Sequence, residues 1–389
     1  MTKSIKENRA QLLWGAFTAD AAALGLHWIY AQPRVRRAGG DEPEFTEPDP
    51  ANYEGVPSYF AHRGKKAGDL TMYGESALVM LRSIAETGSI DPYHFARSFY
   101  LHFGFGGEYV GYIDGPTRET LVNRIRHEEE FAREAAAIPY EGKTSKKNSI
   151  IGKVVSNGQL LRGEELREKV IEAVTLTKGG DAEIALANAV IDRYETNRRY
   201  PGSTEDAQLP AISRVAVLLA ADPDLDGDSD RFEASIRMTH NNDQALSWAR
   251  FTFDLMKALL QRPGDPAALE PAIQDLAANA PEYIATEIES VFKQRAQDNK
   301  VYTMKHGPAC ELQAGIPAAL HNLLGAEDYR DAIRRNILAS GDSCGRAMVL
   351  GPIAALLFSG DTDRGIPADW PSRLTRYEEL SGLIETVLG

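Results

Sequence analysis

SIKENRAQLLWGAFTADAAALGLHWIY, Ser4 to Tyr30, sets Leu13, Phe17, Ala21 and Leu24 at steps of three and four residues. That is the period of an amphipathic helix, not the two-residue alternation of a half-buried strand. The same period recurs along most of the chain. Ser89-Ile90-Asp91-Pro92 combines an N-cap signal with a proline suited to the first helical turn, so a helix is expected through Phe103. Further helices are expected at 75–87, 117–136, 163–177, 182–196, 208–221, 231–240, 243–262, 266–278, 281–297, 313–325, 328–339, 346–359 and 372–388. Strands have almost no claim, and the fold class read from this pattern is all-α.

Breakers gather at 31–68, 138–160, 198–206, 222–230 and 360–371, which read as loops. None resembles a tether between domains, because apolar helices resume after each and no low-complexity run intervenes. No repeat of 20 to 50 residues is evident. Residues 1–389 are therefore read as a single domain.

The chain carries 43% hydrophobic and 25% charged residues with a formal charge of -13. Such a field repels phosphate backbones and anionic bilayers, so neither nucleic acid nor a membrane is expected as the main partner. A local basic pocket could still take a small-molecule substrate bearing phosphate. No run of about 18 apolar residues suggests a membrane span, and the first residues lack the pattern of a secretory signal. Cys310 and Cys344 are too few for a disulfide framework, and a reducing, cytoplasmic setting is the expectation.

Several polar clusters interrupt the apolar pattern. Asp20 sits on a helix otherwise suited to burial, where a carboxylate needs partners, a wet cavity or a capping role. His27, Trp28 and Tyr30 close that helix, either packing at a core edge or facing a ligand. In GDLTMYGESALVML (68–81), Thr71, Tyr73 and Glu75 surround a helix start, where free N–H groups can hold an anion and a carboxylate complements the dipole. Asp114 belongs to an Asp-Gly-Pro turn. In MTHNNDQA, His240 precedes Asn241 and Asn242, either of which can cap the next helix. His306 stands four residues before Cys310, across a Gly-Pro pair that leaves their geometry open.

In SGDSCGRAM (340–348), Gly341, Asp342 and Ser343 form a turn and cap. Arg346 beside exposed N–H groups suits a phosphate, and Pro352 should kink or restart the helix that follows.

In this order, GAFTADAAALGLHWIY, LTMYGESALVML, GYIDGPTRETL, THNNDQA, HGPACELQAGIPAALH and GDSCGRAM resemble the ADP-ribosylglycohydrolase family over nearly the whole chain. They are most similar to its J-crystallin and selenoprotein J-like branch. The resemblance implies an all-helical orthogonal bundle with a central cleft. It also implies two magnesium ions, held by a Thr-Asp-Asp group and an Asp-x-Asp-Thr/Ser group, and cleavage of an N- or O-glycosidic bond to ADP-ribose. Here Thr71 is followed by Met72 and Tyr73, and Asp342 is followed at the later positions by Cys344 and Gly345. Sulfur and neutral phenol are poor magnesium ligands, so Thr71 and Asp342 are expected to hold one weakly bound ion at most.

The functional expectation is a glycohydrolase with a degenerate metal site. Asp20, Glu75, Asp114 and Asp342 would carry the chemistry, and His27, Tyr73, His240, Asn241, His306, Ser343 and Arg346 would contact substrate. The alternative is a reassigned binding protein or a crystallin-like structural protein, and thiol chemistry at Cys310 or Cys344 is a third possibility. Separately, DPDLDGDSDRFE (222–233) satisfies the EF-hand spacing with Asp222, Asp224, Asp226, Gly227 and Glu233, although Ser229 stands where an apolar residue is usual. A calcium loop and a solvated acidic turn are both open.

Overall fold

The computed structural model describes residues 4–137, 155–156, 159–160, 163–176 and 180–389. Within them the chain is helical. The exceptions to helix in its regular structure are a two-residue ladder, in which β1 (Val155–Ser156) pairs antiparallel with β2 (Gln159–Leu160), and the isolated antiparallel bridges Ile29–Ser58 and Gln208–Glu311. The all-α expectation holds, while the loop expected at 138–160 lies, apart from that ladder, outside the described residues. Among the described residues, no helix is long and apolar enough to cross a membrane.

The chain groups into two compact units. The larger comprises residues 1–114, 204–236 and 240–389. It contains α1 (Ile5–Ala23), α2 (Gln32–Gly39), α3 (Met72–Thr87), α4 (Pro92–Phe103), α8 (Val215–Ala221), nearly all of α9 (Asp230–Arg237), α10 (Asp243–Leu260), α11 (Leu269–Ala277), α12 (Glu282–Lys293), α13 (Asn299–His306), α14 (Leu312–Leu323), α15 (Tyr329–Leu338), α16 (Ser343–Leu357) and α17 (Tyr377–Leu388). The smaller comprises 115–203 and 237–239, with α5 (Gly115–Ala137), α6 (Gly163–Leu176) and α7 (Asp181–Arg199) around Phe131, Leu166, Val170, Ile191 and Tyr194.

The larger unit is organised on α1 and α16. Every residue of α16 is buried, as is all of α1 from Leu12 onward except Trp14. Such all-round burial explains why α16 and the second half of α1 are apolar on nearly every side rather than striped, with Thr18, Asp20, Ser343 and Arg346 as buried polar exceptions. They touch through glycine: a Cβ on Gly351 would stand 2.4 Å from the Gly15 carbonyl oxygen, and one on Gly15 would stand 2.6 Å from the Gly351 oxygen. The backbones thus approach more closely than any side chain permits. Tyr329 fastens the crossing, its hydroxyl donating to the Gly15 carbonyl at 2.8 Å.

Three sequence expectations change. The 31–68 loop contains α2, a short helix opened by a proline in its first turn, which is the position where proline is tolerated. Helix α13, capped by Asp298, was hidden because polar residues occupy most of its eight positions. Pro352 does not restart a helix, since α16 runs unbroken from Ser343 to Leu357. Dense packing on all sides keeps the helix continuous past the one hydrogen bond that proline removes.

Candidate functional site

The turn from Ser340 to Asp342 is built on two successive left-handed residues, Ser340 (φ 71°) and Gly341 (φ 67°). Glycine is required at 341, where a Cβ would meet the Pro308 carbonyl oxygen at 2.1 Å. The turn is pinned to the end of α1 by paired backbone bonds: Trp28 N–H donates to Gly341 O at 2.8 Å, and Gly341 N–H to Ile29 O at 2.9 Å. Trp28 itself is left-handed (φ 61°), an uncommon conformation for a bulky residue. These constraints bring His27 beside Asp342, 315 residues away in sequence.

Asp342 is fully buried and accepts on both oxygens. His27 Nε2 lies 2.9 Å from Oδ1, Gly345 N–H donates to Oδ1 at 2.8 Å, and the Tyr73 hydroxyl donates to Oδ2 at 2.7 Å. Burial alone would raise its pKa, but His27, Tyr73 and the Gly345 N–H hold it below the ordinary carboxylate value. The same burial and the adjacent carboxylate push the Tyr73 phenol well above its usual range, so it remains a donor. Asp342 is also the N-cap of α16.

Next to His27 lies a residue that the sequence reading passed over. His62 Nε2 approaches His27 Nδ1 at 2.8 Å. The ring centroids are 5.0 Å apart with 29° between planes, which places the two imidazoles edge to edge along the hydrogen bond. Around them Trp28 stacks on His27 at 4.4 Å, and Tyr112 and Tyr59 lie 4.9 and 5.7 Å from Trp28. Tyr59 is 55% exposed, so this aromatic group reaches the surface.

Asp20 is fully buried on α1 and takes two donors from one residue, the Thr71 N–H at 2.8 Å and the Thr71 hydroxyl. Gly74 makes room, since a Cβ there would strike Asp20 Oδ2 at 2.3 Å. Burial raises the Asp20 pKa to about 7 against the lowering effect of Thr71. Folding therefore keeps Asp20 protonated over a range in which the unfolded chain has already ionised it. Its contribution to stability is complete below the ordinary carboxylate pKa and is lost as pH rises toward about 7. Asp20→Asn cannot ionise, so thermal melts should show it losing less stability than the wild type between about pH 5 and about pH 8. Parallel melting curves would show that Asp20 is ionised throughout.

Glu75 forms a separate ionic cluster. Its Oε2 lies 3.0 Å from His102 Nε2, and its Oε1 lies 3.5 Å from Arg376 Nε and 3.7 Å from Lys65 Nζ. Asp114, Cys310 and Asp342 all act electrostatically on Tyr73, so Asp114 belongs to the same neighbourhood. His240 is fully buried, and desolvation followed by the Arg214 charge drops its pKa to about 3. The cap of α10 is Asn242, which accepts from Gln244 and Ala245 N–H, leaving Asn241 half-buried beside it. His306 is held elsewhere, stacked on Tyr302 at 4.2 Å with Nε2 2.8 Å from Gln294 Nε2.

Arg346 requires a correction. It is buried, and its guanidinium donates to Asn336 Oδ1 at 2.9 Å and to the carbonyls of Ser340 and Asn336. These are the last carbonyls of α15 and the turn that follows, so Arg346 clamps the turn instead of meeting a phosphate. Ser343 is likewise buried as the first residue of α16.

Thiol chemistry also loses its footing. Desolvation, and then nearby carboxylates, raise both cysteine pKa values, and a protonated thiol is a poor nucleophile.

The residues do not fit magnesium. Both Asp342 oxygens are occupied by donors, the Thr71 hydroxyl is directed at Asp20, and Tyr73 brings a phenol proton to the carboxylate. Among the described residues no group of three or more His, Cys, Asp or Glu side chains could hold a metal ion. The acidic loop closes on arginines instead: Asp222 Oδ2 pairs with Arg231 at 3.1 Å and Glu233 with Arg250 at 3.5 Å. Asp224 N–H and Asp228 N–H donate to the Asp222 and Asp226 carboxylates. This is a capped acidic turn rather than a convergent calcium shell.

A family model described as ADP-ribosylglycohydrolase matches residues 1–389. Crystallin J1A of Tripedalia cystophora is 23% identical over 378 residues, covering 96% of this chain and 94% of the relative. Crystallin J1B of the same organism is 20% identical over 382 residues, covering 97% and 95%. A solved structure described as an ADP-ribosylglycohydrolase-related protein complex superposes with a TM-score of 0.51 at 15% identity, covering 100% of this chain and 99% of that one.

Proposed function

The chain belongs to the ADP-ribosylglycohydrolase family, and from that membership we propose that it hydrolyses the N- or O-glycosidic bond of an ADP-ribosyl or related nucleotide-sugar substrate, at a site centred on Asp342 and without a resident dinuclear magnesium pair. The observation that carries this reading is the Tyr73–Asp342–His27 constellation, an ionised carboxylate wired to an imidazole. Hydrolysis of this bond passes through an oxocarbenium-like centre, which a fixed negative charge stabilises in a site of low dielectric. Asp342 supplies such charge; Asp20, with a pKa of about 7, supplies less at neutral pH. Trp28, Tyr59 and Tyr112 offer flat surfaces suited to a nucleobase.

Purified protein incubated with arginine-, serine- and thymidine-linked ADP-ribose should release ADP-ribose at the same rate in EDTA and in magnesium. Loss of turnover in EDTA would overturn the metal-independent reading. A second reading is favoured by the two crystallin relatives and by a polar centre whose donors and acceptors largely satisfy one another. In that case the chain is a stable structural protein. No turnover on any of these substrates, together with no thermal stabilisation by ADP-ribose or nucleotides, would establish it in place of the first.

A further inference from the structure

The contact between His27 and His62 fixes more about the site than packing requires. Asp342 is an ionised acceptor, so His27 Nε2, 2.9 Å from Oδ1, must carry the hydrogen. In a neutral His27 the other nitrogen, Nδ1, is then an acceptor, and His62 Nε2 at 2.8 Å must donate to it. That assignment leaves a lone pair on His62 Nδ1, the ring nitrogen not engaged in the contact with His27. Three groups from distant parts of the chain thus form one line, Asp342 to His27 to His62, with a basic nitrogen at its outer end.

We propose that His62 is the general base of this site, and that it draws on Asp342 through His27. The inference rests on the glycohydrolase reading for its substrate class. In the step, water adds its oxygen to the anomeric carbon while the glycosidic bond breaks and its electron pair leaves with the departing nitrogen or oxygen. The water proton goes to His62 Nδ1. The Nε2 proton of His62 passes to His27 Nδ1, so the positive charge comes to rest on the ring that touches the carboxylate. Reversal of the relay returns a proton to the leaving atom, and sugar plus free leaving group are the only products.

The direction of charge flow has a physical cause. His62 is disfavoured as a cation by burial and then by His27 and Lys65, whereas a cation on His27 meets Asp342 directly. A charge taken up at the outer ring is therefore stabilised by moving one ring inward.

The test has two arms. Long-range nitrogen–proton correlation spectra of the wild-type chain, recorded at one pH above neutrality, read the His62 tautomer without any substrate. The relay requires hydrogen on Nε2 and none on Nδ1, and the opposite tautomer would overturn it. In the kinetic arm, His62→Ala should lower kcat at least about 100-fold with little change in KM, and added imidazole should restore part of the rate. His27→Gln should cost a similar factor, and the double variant no more than either alone, because the residues act as a unit. A folded His62→Ala protein with wild-type kcat would remove His62 from the chemistry. Should the wild type cleave none of the glycosides while His62 carries the Nε2 hydrogen, the substrate class fails and the relay stands.

Discussion

Replacing Gly351 by leucine is expected to destabilise the larger unit by at least about 3 kcal/mol, beyond the usual range for overpacking. The atoms in the way explain the size of the effect. A Cβ at 351 stands 2.4 Å from the Gly15 carbonyl oxygen and 2.5 Å from the Ala19 Cβ, and neither is the far end of a flexible side chain that could swing aside. A helix interior gains about 1 kcal/mol when glycine becomes alanine, but that gain cannot offset the separation of two backbones. Since α1 carries Asp20 and leads to His27, while α16 begins at Asp342, the crossing also sets the distance between the two halves of the site. Melting followed by circular dichroism checks the prediction, and a Gly351→Leu protein that melts within a degree or two of the wild type would refute it.

Arg346→Met is expected to cost about 3–5 kcal/mol, the range for breaking a buried charged network by removing one member. Asn336 Oδ1 and the Ser340 and Asn336 carbonyls would lose their donor, and each orphaned acceptor carries a penalty of about 1–3 kcal/mol. Burial lowers the Arg346 pKa to about 10 against the pull of Asp342 and other groups, so the side chain is still a cation at neutral pH. Its loss would also leave the Asp342 charge less compensated. The effect should appear in the melting temperature without any ligand. If Arg346→Met melts like the wild type but fails to bind ADP-ribose, the guanidinium serves a phosphate and the structural role is wrong.

Much of the candidate site is legible in the sequence. Asp20 stands out as a carboxylate on a helix otherwise suited to burial, and Thr71, Tyr73, Glu75, Asp114 and Asp342 as polar residues gathered at helix starts and turns; the structure buries all of them. They do not meet at one point, however. Asp20 pairs with Thr71, Glu75 with His102, and Asp342 with Tyr73 and His27. His62 left no mark, since a single histidine in a region rich in glycine and proline has no period to break. Arg346 was misplaced for a related reason. An arginine near a helix start suits a phosphate by local rules, and only the approach of α15 brings the Asn336 and Ser340 carbonyls that occupy it.

The helical class follows from the sequence alone, because the spacing of apolar residues is a local property that each segment carries with it. The scarcity of carboxylates at Thr71–Tyr73 and Asp342–Gly345 follows equally, because it depends only on which side chains stand there. How Asp342 is partnered was decided by tertiary structure. The Asp342–His27–His62 line joins positions 342, 27 and 62, and hydrogen bonding falls away within fractions of an ångström. No local pattern encodes that closeness; the α1–α16 crossing and the left-handed turn at Ser340–Gly341 create it.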